Sequence, residues 1–116
     1  IDNDAKRLEA LTAYTDVEPV EGDPSSVSAL AEANVENADL FIATYPYVNQ
    51  EVNMVAAMLA KRMGARKVVL VASGAEKAPI VKEAFFGPVS PQVRASILQM
   101  HPDFILVADE EALSLI

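Results

Sequence analysis

Residues 38–71 fix what this chain can become. Two short and almost unbroken apolar runs, Leu40 to Ala43 and Val68 to Val71, flank a stretch with helical periodicity. Apolar runs of this length fit strands covered on both faces, as in a parallel sheet. Between them Val52, Val55, Ala56, Leu59, Ala60 and Met63 recur at the spacing of one helix face. Gly64 follows, where a helix favours a left-handed cap. A strand, a helix and a second strand joined in this way predict a right-handed crossover between parallel strands.

The rest of the chain extends that unit. Ile1 reads as the end of a strand, and Asn3 or Asp4 caps a helix whose inner face is Ala5, Leu8 and Leu11. Residues 17–21 alternate and contain Pro19, which predicts an edge strand. A turn at 22–26 leads into a helix with Val27, Leu30 and Ala31 inside, and Asn34 stands where the chain must turn left-handed. Beyond the loop at 73–79, residues 80–86 predict a short amphipathic helix. Ser90 and Pro91 then open another helix, with Val93, Ile97 and Met100 facing the core. Residues 103–107 predict a last buried strand, after which Asp109 caps a helix that includes Ala112, Leu113 and Ile116. Alternation of this kind predicts one α/β domain over residues 1–116, a Rossmann-like doubly wound parallel sheet.

Composition narrows the function classes. The chain has 116 residues, 52% of them apolar, which is enough for a core and excludes a disordered chain. No apolar run approaches the roughly 18 residues that a bilayer-spanning helix needs, so direct membrane insertion is not expected. The net charge of −8 argues against nucleic-acid binding, which needs a basic surface. Cysteine is absent and there is one histidine, His101, so neither a thiolate metal site nor a Ser-His-acid triad can be built from spacing. His101 reads as solvated, the run Asp109–Glu111 as favourable charge at a helix start, and Met54, Met58 and Met63 as packing residues.

Several ordered signals carry a resemblance. Ile1-Asp2, Gly22-Asp23, Ala33-Asn34-Val35, Ala38-Asp39, Thr44, Val52-Asn53-Met54 and the run from Leu59 to Lys67 follow one another with plausible gaps. In this the chain resembles the nucleotide-binding RCK domain, which regulates potassium conductance, as in the N-terminal domains of Trk and Ktr potassium-uptake regulators. The likeness is good over about residues 1–71 and looser over 103–116. Three departures stand out. The family's first strand and G-x-G-x-x-G turn are not among these residues, so the sheet is expected to lack its first strand. The loop at 45–50 is longer than usual and lacks the common acidic residue. The segment 73–102 is also longer than usual.

The resemblance implies a cofactor, NAD(H) or an adenine nucleotide such as ADP or ATP, and the residues that bind it. Asp2, at the carboxyl end of a strand, would accept hydrogen bonds from ribose hydroxyls and disfavour a 2′-phosphate; on the residue alone, helix capping is the first reading. Asn3 stands beside it. Asp23 would accept from an adenine amino group, or serve as a plain turn residue. Thr44 and Tyr45 sit at the carboxyl end of the next strand, where ligands collect in open α/β sheets. Tyr45 also reads as loop packing around Pro46, and Asn53 as a tie between loop and helix. The implied function is a non-enzymatic regulator of a membrane potassium channel or transporter subunit. It would be cytoplasmic, peripheral to the inner face of the membrane, and a homo-oligomer, either a dimer or a ring. The alternatives are a fragment of an NAD-dependent Rossmann oxidoreductase, which would need a catalytic domain elsewhere, and a structural fragment with no ligand.

Overall fold

The computed structural model describes residues 1–44 and 50–116, with the side chains of 50 and 51 excepted. Three parallel strands form one sheet in the order β1 (Leu40–Ala43), β2 (Lys67–Ala72) and β3 (Phe104–Ala108). β1 and β2 are joined by α3 (Gln50–Met63), the crossover that residues 38–71 predict. Phe41 pairs with Val68 and Val68 with Phe104, so the three strands share one register. The expected left-handed residues take that conformation: Asn34 has φ 56° and Gly64 φ 114°. The chain is a Rossmann-like α/β protein.

Burial is one-sided. Phe41, Ala43, Val68, Leu70, Phe104 and Leu106 point to the face that packs against Met54, Ala57 and Ala60 of α3 and against Ala84, Ala95 and Leu98. Alanines at the contact let the helix approach the sheet closely, and Ala56, Ala57 and Ala60 are almost wholly buried. The opposite face carries Leu40, Ile42, Ile105 and Val107, each about half-exposed. The apolar runs therefore build parallel strands as expected, but only alternate residues are covered.

Near the amino terminus, α1 (Ala5–Thr12) is capped by Asp4, whose carboxylate accepts from the N–H groups of Lys6 and Arg7. α2 spans Val27–Glu32 and buries Ala29 and Leu30. The edge strand expected over 17–21 shrinks to a single parallel bridge between Asp2 and Glu21. Asp2 N–H donates to Val20 at 3.2 Å, and Gly22 N–H donates to Asp2 at 3.0 Å. Val20 is the one buried residue of 17–21, and Pro19 lacks the N–H that a longer ladder would use.

After β2, α4 (Ala78–Val81) runs into a π-helical turn at Lys82–Phe86, replacing the single α-helix expected there. Gln99 supports this turn: its side-chain amide donates to the carbonyls of Ala84 at 2.8 Å and Gly87 at 3.0 Å. The helix expected after Ser90 is a 3₁₀ helix, Arg94–Met100. Val93 N–H donates to the Ser90 carbonyl, and the buried Ser96 hydroxyl both accepts from Ser90 N–H and donates to its carbonyl. Those bonds tie up the backbone that an α-helix capped at Ser90 would use. The tighter winding turns Met100 out, 67% exposed, instead of into the core. His101, expected to be solvated, is half-buried, and its Nδ1 accepts from Asp103 N–H at 2.9 Å. The helix expected after Asp109 is a run of turns. Its backbone bonds mix spacings: Leu113 N–H donates to the Asp109 carbonyl, but Ser114 donates to Glu111 and Ile116 to Leu113.

Gly87 is the tightest point of this region. A Cβ there would lie 2.6 Å from the Glu83 carbonyl oxygen, a backbone atom that cannot swing aside. Gly87→Ala is expected to cost about 1–3 kcal/mol of stability, the usual penalty for overpacking. Urea unfolding of the two proteins side by side measures it.

Candidate functional site

A cleft of about 350 Å³ opens between the Asp2–Glu21 bridge and the outer edge of β1. That volume lies near the lower end of small-molecule sites, roughly 300–1,000 Å³. Each wall has a local cause. The bridge to Glu21 holds Ile1 and Asp2 on one side. The carboxyl end of β1 carries Thr44, and the early turns of α3 bring Asn53 and Ala56. Val35 and Phe41 supply apolar surface.

The expected site residues divide. Asp2 and Thr44, forty-two positions apart, line the same cleft. Asn53, read from the sequence as a loop tie, lines it too. Asn3 is exposed and lies off its lining, and so does Asp23, whose neighbour Pro24 contributes instead. Asp23 is engaged locally, accepting from Ser25 N–H at 2.8 Å and Ser25 Oγ at 2.6 Å. The Ser25 hydroxyl, then its N–H, hold the Asp23 carboxyl below the ordinary aspartate range. Tyr45 lies outside the described residues.

Asp2 does two jobs. Its Oδ1 accepts from Asp4 N–H at 2.8 Å, the capping role open to it on sequence grounds, while its Oδ2 faces Arg7 Nη1 at 3.6 Å. Arg7 also approaches Asp4, with Nε 3.2 Å from Oδ2. One guanidinium thus serves two carboxylates and fixes the orientation of Asp2. Sequence reasoning missed Arg7; its place three residues after the cap Asp4, on the same helix face, was the signal available. Chemically the cleft offers a carboxylate acceptor, a hydroxyl, an amide and an apolar wall, a set suited to a sugar with a flat ring. Asp2 is the one titratable side chain lining it among the described residues.

A second polar cluster closes the carboxyl end of the sheet. The Asp109 carboxylate accepts from Ser73 Oγ, from Gly74 N–H at 3.1 Å and from Ala112 N–H at 2.8 Å. It ties the loop after β2 to the turns after β3. Among the described residues no three His, Cys, Asp or Glu side chains are grouped to hold a metal ion.

The Ser73 hydroxyl, followed by the N–H groups of Ala112 and Gly74, holds the Asp109 carboxyl below the ordinary aspartate range. Its contribution to stability is therefore complete above the unfolded aspartate value, about 3.9. It is lost as pH falls from there through the lower folded value. Asp109→Asn is expected to lower the melting temperature at neutral pH, with the gap to the unsubstituted chain closing across that acid window. Melting curves from pH 7 to pH 2 test this, and a gap that does not change with pH contradicts it.

A profile of the TrkA-N domain family matches residues 1–89. Curated relatives point elsewhere in name. A glucosamine-6-phosphate deaminase of Alkaliphilus oremlandii (strain OhILAs) is 48% identical over 54 residues, covering 47% of this chain and 22% of that protein. The enzyme of the same name from Lachnoclostridium phytofermentans is 51% identical over 45 residues, or 39% and 19% of the two chains. That of Clostridioides difficile (strain 630) is 37% identical over 89 residues, 76% and 34%. The chain spans about a third or less of the length of these relatives. Residues 90–116 lie outside the family match and are too few to hold a 54-residue likeness, so the two kinds of match overlap. The family match covers most of the chain and agrees with its parallel sheet and crossover: the chain belongs to the TrkA-N domain family, the Rossmann-like NAD-binding domains of potassium-transport regulation.

Proposed function

We propose that this chain is a regulatory domain that senses a nucleotide, NAD(H) or an adenine nucleotide such as ADP or ATP, and controls a potassium channel or transporter. The observation that carries this reading is the meeting of Asp2 and Thr44 in one cleft beside the carboxyl end of β1. Open α/β sheets bind nucleotides at that end, and a carboxylate there accepts from ribose hydroxyls. In this reading the domain acts by binding and not by catalysis, as a regulator that responds to its ligand. Its partner is a membrane-embedded potassium channel or transporter subunit. The domain works as a homo-oligomer at the cytoplasmic face of the membrane. Among the described residues no helix is long and apolar enough to cross a bilayer. Control follows if the nucleotide binds two assembly states with different affinity.

Asp2→Ala is expected to weaken binding of ADP and NAD⁺ about tenfold, the loss of one or two charge-assisted hydrogen bonds. Titration calorimetry of both proteins reads this directly. Equal affinities remove Asp2 from the site.

The deaminase likenesses favour a second reading, in which the chain is part of an enzyme that acts on glucosamine 6-phosphate. Calorimetry with glucosamine 6-phosphate, together with an assay for released ammonia, separates the two. Binding or turnover of the amino sugar, with no response to ADP or NAD⁺, selects the enzyme reading.

A further inference from the structure

A second cavity, of about 320 Å³, lies on the far side of α3 from the cleft, between that helix, the π-helical turn and the 3₁₀ helix. Its walls are apolar: Met54, Val55 and Met58 of α3 face Ile80, Val93 and Ala95. Its lining also carries charge. Glu83 and Arg94 both line it, and the side chain of neither makes an ion pair or a hydrogen bond with another described residue. Gln92 lines it too, with no side-chain partner among the described residues. Two opposite charges thus line one cavity without pairing with each other. Glu83 stands on the π-helical turn that Gln99 braces and Arg94 at the start of the 3₁₀ helix.

We propose that this cavity binds a free α-amino acid with an apolar side chain. The carboxylate lies on the Arg94 guanidinium, which offers paired donors in a planar fork. The ammonium lies on the Glu83 carboxylate. The side chain enters among the thioethers of Met54 and Met58, which adapt to ligands of different shape. The two charges select this class. A simple apolar anion would be repelled by Glu83 and an apolar amine by Arg94, whereas a zwitterion satisfies both. The volume suits a small organic molecule. Nothing in this inference depends on the nucleotide reading, because the cavity and the cleft have no lining residue in common.

The test uses the 116-residue chain with ¹³C-methyl-labelled methionine. L-Leucine, L-methionine and L-phenylalanine are titrated in turn, and the methyl resonances of Met54 and Met58 are followed. At least one amino acid is expected to shift both resonances saturably. For a leucine response, 4-methylpentanoate, which lacks the ammonium, and 3-methylbutylamine, which lacks the carboxylate, should each bind about tenfold more weakly or worse. Glu83→Gln and Arg94→Gln are expected to weaken the amino acid by a similar factor. Both side chains are exposed, so both variants keep the fold. Absence of a saturable shift with all three amino acids, or unchanged affinity in either variant, overturns the proposal.

Discussion

The contact between α3 and the inner face of the sheet holds the rest of this structure in place. Ala57 and Ala60 add little side-chain bulk at this contact, so α3 packs closely on Val68 and Leu70. Burial of that apolar surface is the main favourable contribution, of order 25 cal/mol per Å². The close approach fixes more than stability. It sets the height of Asn53 and Ala56 above the outer edge of β1, and the direction in which Met54, Val55 and Met58 point on the other side. One helix is therefore a wall of both cavities.

The two ends of the sheet are closed by different means. At β1 the sheet stops, and beyond it the amino-terminal segment returns only as the Asp2–Glu21 bridge. The space between them is the cleft, and its single carboxylate is oriented by Arg7 and by the N–H of Asp4. At β2 and β3 the loops are stitched together by Asp109, which gathers donors from Ser73, Gly74 and Ala112. In both places a carboxylate organises the carboxyl end of parallel strands. Asp2 faces open volume, whereas Asp109 is consumed by its own chain. That difference, and not the residue type, makes the first the candidate for a ligand contact and the second a structural tie.

The region between β2 and β3 shows how side chains redirect a helical signal. The apolar spacing of residues 80–86 and 93–100 is helical, and both stretches are indeed wound. Their pitch is decided by Gln99, Ser90 and Ser96, whose polar groups bond the backbone across the segment. A π turn and a 3₁₀ helix result, and they carry Glu83 and Arg94 to the lining of one cavity. The stacked rings of Phe85 and Phe104, 5.4 Å apart, bind this segment to β3.

Much was legible from the residues alone because it depends on near neighbours. Apolar runs at 40–43 and 68–71 with helical spacing between them determine a strand–helix–strand crossover. Asn34 and Gly64 determine the left-handed ends of helical segments, since few other residues tolerate φ above zero without strain. Asp4 is a cap by its position and side chain. Tertiary structure decided what depends on distant partners: that Asp2 and Thr44 share a cleft while Asp23 does not, that Arg7 steadies Asp2, that one sheet face stays half-exposed, and that Met100 turns outward. Local pattern records which residues can be buried or bonded. Which partner they meet is set by how the helices and strands stack, and that free energy is shared among residues far apart in the chain.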